Sequence, residues 1–326
     1  MKTTVLVTGA AGFIGSHLAG TLLDNRYQVV GLDNFDNYYP PAIKRHNIRT
    51  IGAGDGFHLI EGDVRDTALI NRIFTDYDIS LVAHLAARAG VRPSIQQPAL
   101  YQDVNIGGTI NLLEASQAHG VKQFLFTSSS SVYGSGTSLP FREDTKLDYP
   151  TSPYAASKLA AELFCRTYHH LYGLPMIVIR PFTVYGPRQR PEMAISLFTR
   201  QIDSGEEISI FGDGTSKRDY TYVSDIVDGM LQALTSRNHG FEIFNLGDSR
   251  PIALNSLIHI LEESLGKKAK ITYSPEQKGD MPATFADISK AGKYLGYEPK
   301  VTIEEGIRRF VEWYRKSADA MRYDYA

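Results

Sequence analysis

The chain has 326 residues, 43% of them hydrophobic, and a formal net charge of -2. That length exceeds what one core usually serves and implies two domains. The charge excludes the basic footprint of a nucleic-acid binder, one cysteine (Cys165) excludes an internal disulfide or a cysteine-rich metal cluster, and no apolar run approaches the ~20 residues that span a bilayer.

The chain enters an apolar, β-rich run at residues 3–8 almost at once, so no signal peptide is expected and a soluble cytoplasmic protein is the default. The run leads into Gly9-Ala10-Ala11-Gly12-Phe13-Ile14-Gly15. Strand, glycine turn and helix start make the first βα unit of a dinucleotide fold. Gly9 permits the tight turn, Gly12 admits a pyrophosphate close to the backbone, and Gly15 lets helix and strand pack closely. The free N–H groups of the helix start favour the phosphates.

The next strand, residues 28–33, ends on Asp33, the place for an acid that bonds the adenosine ribose hydroxyls. Asp33 would repel a 2′-phosphate, so NAD is favoured over NADP. Lys44 and Arg45 could argue the other way, but loop cations are usually solvated. Asp63, after the strand at 57–60, would face the adenine edge by the same logic; a helix N-cap role is equally open.

Further strands are expected at 79–84, 124–127 and 176–180, with helical periodicity at 106–119 and 154–172 between them. Alternating β and α units imply a parallel, doubly wound sheet with ligands at the C-terminal strand ends. His84 ends a strand beside that cleft and reads as a core histidine. Cys165 reads as a packing residue, and His169-His170 as a solvated pair near a helix end.

After Pro181 glycine and proline become frequent and the alternation fades, although 241–246 reads as a buried strand that could return to the sheet and 303–313 as a helix. The expected architecture is α/β: a Rossmann-type doubly wound parallel sheet with a smaller, discontinuous α/β substrate-binding domain. Residues 1–180 plus 221–248 would form the first unit, and 181–220 plus 249–326 the second.

Two further patterns bear on chemistry. The strand at 124–127 runs into Ser128-Ser129-Ser130-Ser131-Val132-Tyr133-Gly134, which places hydroxyls at a strand end. Tyr154 and Lys158 are spaced i, i+4 on a helix and share a face. A nearby ammonium favours the phenolate, which could then act as a base near neutral pH although free tyrosine has a pKa of about 10.

Together these segments resemble the extended short-chain dehydrogenase/reductase family of nucleotide-sugar enzymes. The resemblance covers nearly the whole chain. It rests on Thr8 to Gly15, Asp33-Asn34, Gly62-Asp63-Val64, His84-Leu85-Ala86-Ala87, Ser128 to Gly134, Tyr154/Lys158 and Arg180-Pro181. Two later motifs, Arg218-Asp219-Tyr220-Thr221-Tyr222-Val223 and Gly279-Asp280-Met281-Pro282-Ala283, also fit. The resemblance implies a catalytic Ser129, a base at Tyr154, and Lys158 as ribose ligand and tuner of the tyrosine. It implies NAD held by Gly9, Gly12, Phe13, Ile14, Gly15, Asp33, Asn34, Lys44, Asp63, Val64, Leu85, Ala86 and Ala87, besides Tyr154 and Lys158. For a UDP-sugar it implies Arg92, Ser128, Ser129, Thr183, Arg190, Phe211, Arg218 and Asp280. Arg218 would meet the UDP phosphates, the alternative being a surface salt bridge to Asp219 or a neighbour. A homodimer through helices near 100–118 and 153–172 is also implied.

On this scaffold the phenolate removes the sugar 4-hydroxyl proton and C4 gives a hydride to the nicotinamide, leaving a 4-keto sugar. Sugar 4,6-dehydratases carry Asp and Glu where Ser130 and Ser131 stand here, and related decarboxylases carry Glu at the second position. A hydroxyl is a poor substitute for a carboxylate in acid–base work. The remaining course is to turn the keto sugar over and return the hydride to its other face: a redox-neutral 4-epimerisation. Thr183, where UDP-glucose 4-epimerases usually have Asn, followed by Arg190-Pro191-Glu192-Met193, is similar to UDP-glucuronic acid 4-epimerases, as is Ala89-Gly90-Val91-Arg92. Arg190 and Thr183 would hold the C6 carboxylate. The chain departs from that subfamily at Arg188-Gln189, often Trp-Gly there, and at Arg88, often Gln. UDP-glucose 4-epimerase and a non-catalytic nucleotide sensor are the alternatives.

Overall fold

Alternation along the strands decides the layers. In the computed structural model, which describes residues 2–52, 56–147, 149–236, 240–275 and 282–322 (side chains to Ser317), β1 (Thr4–Thr8) turns Val5 and Val7 to one face and Leu6 to the other. The same split recurs along β5 (Gln123–Thr127), where Leu125 packs on one side and Phe124 and Phe126 on the other. Strands buried on both faces must be covered by helices on both.

β2 (Gln28–Asp33), β3 (Phe57–Glu61), β4 (Ile79–His84), β6 (Met176–Pro181) and the strand Phe241–Leu246 complete a seven-stranded sheet. From one edge the order is Phe241–Leu246, β6, β5, β4, β1, β2, β3, and every pairing is parallel. The order reverses between β1 and β4, which opens a crevice at their C-terminal ends. The expected return of 241–246 to the sheet is met, with Phe241 opposite Met176.

Helices α1 (Phe13–Asp24) and Val223–Thr235 cover one face, joined there by Ala194–Ser204, Leu254–Leu265 and Ile303–Arg322. Helices α3 (Thr67–Asp76), Gly108–Ala118 and Pro153–Tyr172 cover the other, and Cys165 is buried in that core as expected. The periodicity at 106–119 resolves differently: a five-residue π-helical turn, Asp103–Gly107, precedes the regular helix. Such turns often sit beside functional sites. This one presents Asn105, which accepts from Arg88 N at 2.8 Å and donates to Arg88 O at 3.0 Å and Ser157 Oγ at 2.9 Å.

Beyond β6 the chain forms short pairs. Thr183–Tyr185 runs parallel to Tyr220–Tyr222, and Glu207–Phe211 parallel to Lys270–Ser274. Buried Asp219 ties the loops beside them together: its carboxylate accepts from the N–H groups of Asp248, Ser249 and Ala286 and from the Thr221 hydroxyl. A buried carboxylate needs such donors, and they, not Arg218, meet the Asp219 side chain. His169 Nδ1 meets Leu174 O at 2.9 Å and closes its helix end, so of the two histidines His170 alone is exposed.

Candidate active site

The crevice holds a cavity of about 430 Å³. Gly9 lies on its wall with φ +70°, and a Cβ there would stand 2.8 Å from Ala86 N. A Cβ on Gly15 would stand 2.0 Å from Gly9 O. Gly9 is therefore required by contact and by conformation, and Gly15 by contact. Beneath the loop Thr8 Oγ1 accepts from the N–H groups of Leu85 and Ala86 and lies 2.7 Å from His84 Nδ1. Thr109 already donates to Asn105 O, so His84 Nε2 donates to Thr109 Oγ1 and Nδ1 accepts from Thr8. Burial lowers the His84 pKa to about 3 and keeps it neutral, a core histidine as expected.

Gly12, Phe13 and Ile14 line the same wall, and Leu85, Ala86 and Ala87 face them from the end of β4. Asp33 closes the β2 end, its carboxylate accepting from Ala11 N at 3.0 Å and Phe35 N at 2.9 Å. Burial pushes its pKa up, against the pull of Lys44. Lys44 corrects the expectation of a solvated loop cation. It lies on the helix Pro41–Ile51, is 7% exposed, and donates to Asp36 O at 2.7 Å. Arg45 does turn outward, to Glu61 at 2.9 Å. Asp63 and Val64 line the cavity, and Asp63 accepts from Asn34 Nδ2 at 2.8 Å and from Arg65, which holds its pKa down to about 2. The N-cap alternative fails, because Asp66 accepts from Leu69 N and caps α3.

The other end carries the reactive groups. Ser152 caps the helix Pro153–Tyr172 by accepting from Ala155 N, which sets Tyr154 and Lys158 on one inward face. Ser129, Ser130 and Ser131 arrive on the turn after β5, and Ser131 donates its N–H to Ser129 Oγ at 3.2 Å. The Tyr154 pKa is raised by burial, with a side-chain hydrogen bond to Ser129 and the charge of Arg190 pulling the other way. Lys158, one helical turn on from Tyr154, is buried. Its Nζ donates to Thr127 O at 2.8 Å and lies 4.9 Å from the Phe126 ring centroid, and burial lowers its pKa to about 8. Ser128 lines the cavity, but its hydroxyl donates to Glu162 Oε1. Glu162 in turn pairs with Arg180 at 2.7 Å, both almost fully buried, and Arg180 donates to Tyr133 Oη at 3.1 Å.

Thr183 and Arg190 line the same cavity as Tyr154. Arg92, Phe211 and Arg218 lie off the cavity. The Arg92 guanidinium stacks 5.1 Å from the Phe211 ring centroid, and Arg218 Nη1 donates to Lys217 O at 2.9 Å. Asp280 lies outside the described residues. Sequence reading missed Asp36, Tyr38 and Tyr101. Arg88 pairs with Asp36 and lies 5.1 Å from the Tyr38 ring centroid, and the Tyr101 ring meets Tyr154 edge-on at 6.2 Å. The tyrosines after β2, at 38 and 39, were the available signal.

A parallel sheet with a glycine loop at its switch point, an acid ending β2, and Ser, Tyr and Lys converging at the far end defines a dinucleotide-dependent enzyme of the short-chain dehydrogenase/reductase type. Residues 5–247 match the model of the NAD dependent epimerase/dehydratase family. The chain belongs to that family. It is 46% identical to a UDP-glucuronate 4-epimerase of Thermodesulfobacterium geofontis, over 97% of this chain and 98% of that protein. Among solved structures it resembles the UDP-glucuronic acid 4-epimerase of Bacillus cereus in complex with UDP-glucuronic acid and NAD, with TM-score 0.91 and 38% identity over 96% of this chain and 99% of that one. A UDP-glucose 4-epimerase of Thermotoga maritima, solved with UDP-glucose, gives TM-score 0.89 and 36% identity over 97% and 100%.

Proposed function

We propose that the protein is an NAD-dependent UDP-glucuronate 4-epimerase that interconverts UDP-glucuronate and UDP-galacturonate through a 4-keto sugar. NAD fits the residues present: glycines where a Cβ would strike backbone, and Asp33 at the ribose end of the cavity. Bound there, NAD supplies a reversible hydride acceptor for C4. Tyr154 takes the 4-hydroxyl proton and later returns it. Ser129, whose hydroxyl opposes the rise in the Tyr154 pKa, shares that proton and holds the hydroxyl in line. Lys158, beside the tyrosine with a buried ammonium, is placed for the ribose hydroxyls.

The observation that carries the sugar assignment is that Arg190 and Thr183 line the same cavity as Tyr154. An uronate brings one more negative charge than a neutral hexose, and a guanidinium is its natural partner. A 4-keto uronate is a β-keto acid and loses carbon dioxide when its carboxylate bond aligns with the carbonyl π system. Arg190 and Thr183 hold the carboxylate away from that alignment. Ser130 and Ser131 stand where dehydratases need carboxylates, so elimination has no base.

Residues 1–180 plus 221–248 serve the cofactor and 181–220 plus 249–326 the nucleotide sugar, with Arg218 reserved for the UDP phosphates. The protein works as a cytoplasmic homodimer. No described helix is long and apolar enough to cross a membrane, and the helix Pro153–Tyr172 leaves Leu163 and Leu171 60% and 61% exposed on its outer side, apolar surface that a partner would cover. Parallel assays on UDP-glucuronate and UDP-glucose test the assignment. A higher kcat/KM on UDP-glucuronate is expected; preference for UDP-glucose would overturn it.

A further inference from the structure

Arg190 does not wait in the cavity with its charge unmet. Its Nη1 lies 3.1 Å from Glu192 Oε1, with the two side chains 21% and 42% exposed. Its guanidinium carbon lies 5.6 Å from the Tyr38 ring centroid. The contact with Glu192 is poorly aligned. Nη1 is shut off from solvent, yet it makes no hydrogen bond among the described residues despite the short distance. A guanidinium bound to a carboxylate in good geometry donates two parallel hydrogen bonds. This one has the attraction of an ion pair without that geometry. Arg92, Arg88 and Lys44 face other partners, namely Phe211, Asp36 and the Asp36 carbonyl.

We infer that Glu192 is a resting counter-ion for Arg190, which gives up the guanidinium to the carboxylate of an incoming uronate and so acts as a specificity-determining positioning residue. This rests on the glucuronate reading of the site. The internal carboxylate keeps a largely buried cation neutralised while no acidic sugar is present. It also competes with one that arrives. A neutral hexose offers nothing to Arg190, and the Glu192 contact persists beneath it. Glu192 thus lowers affinity for the acidic sugar and keeps the cavity tolerant of neutral ones.

The test is ligand affinity by calorimetry on NAD-loaded protein carrying Tyr154→Phe, so that no turnover intervenes. Glu192→Gln in that background should bind UDP-glucuronate about two- to fivefold more tightly, the worth of a half-exposed ion pair, and UDP-glucose no more tightly than before. With Arg190→Gln also present, the Glu192→Gln gain should vanish, since the effect runs through that cation. Unchanged or weaker UDP-glucuronate binding by Glu192→Gln would overturn the inference, as would an equal gain for UDP-glucose or a gain that survives Arg190→Gln. If the protein with Glu192 intact does not favour UDP-glucuronate over UDP-glucose, the glucuronate reading itself fails. If it does favour it and Glu192→Gln brings no gain, the counter-ion role alone fails.

Discussion

Tyr154 is half-buried on the cavity lining, and desolvation by itself holds a phenol protonated. The groups that oppose this are Ser129 and Arg190, so the base and the carboxylate anchor share one electrostatic field. An acidic sugar that engages Arg190 therefore also changes the charge seen by the tyrosine. Tyr154→Phe should cut epimerisation by at least about 10²-fold while NAD content stays unchanged; full activity in that variant would remove Tyr154 from its role. Thr183→Ala and Arg190→Ala should raise the ratio of pentose by-product to epimer, read by chromatography of the nucleotide sugars. An unchanged ratio would show that the carboxylate is restrained by other groups.

At the scale of elements, the turn after β5 is held from behind. Ser128 donates to Glu162, Glu162 pairs with Arg180, and Arg180 reaches Tyr133, which donates to Asn245 Oδ1 at 2.7 Å on the strand Phe241–Leu246. Glu162→Ala leaves Arg180 buried without its carboxylate and should cost about 3–5 kcal/mol of stability in chemical denaturation. A loss under about 1 kcal/mol, the worth of a solvent-exposed bridge, would mean that water replaces the pair. Strands such as 28–33 and 241–246 were legible in sequence because their apolar runs are bounded by turns. The glycine loop was legible because close backbone contact admits no other residue. The π-helical turn at Asp103–Gly107 was not, since its sequence continues the helical period and only the contacts of Asn105 mark it. Tyr38 was missed, and the burial of Lys44 unforeseen, for a related reason: the segment after β2 folds inward over the cavity, and composition says nothing of its direction.

The whole molecule carries a pH dependence to which buried His84 and half-buried His17 contribute. His84 and His17 have folded values lowered to about 3 from 6.5, chiefly by burial. Below pH 6.5 the unfolded chain takes up protons that the folded chain refuses. The stability present above that pH is therefore lost as pH falls from about 6.5 towards about 3, by several kcal/mol in all. Urea midpoints should fall steadily across that window, and His84→Gln should flatten the slope; an unchanged slope would show that His84 is not a determinant. On the outer side of the helix Pro153–Tyr172, Leu163→Glu with Leu171→Glu should yield monomers in sedimentation, whereas an intact dimer would place the interface elsewhere.

The most direct measurement uses UDP-glucuronate deuterated at C4, given to the purified NAD-loaded protein with no further cofactor. UDP-galacturonate with the label still at C4 and no net reduced nicotinamide is expected. Absence of the epimer, or an epimer from which the label has exchanged into water, would contradict a site in which one tyrosine and one retained nicotinamide invert the carbinol.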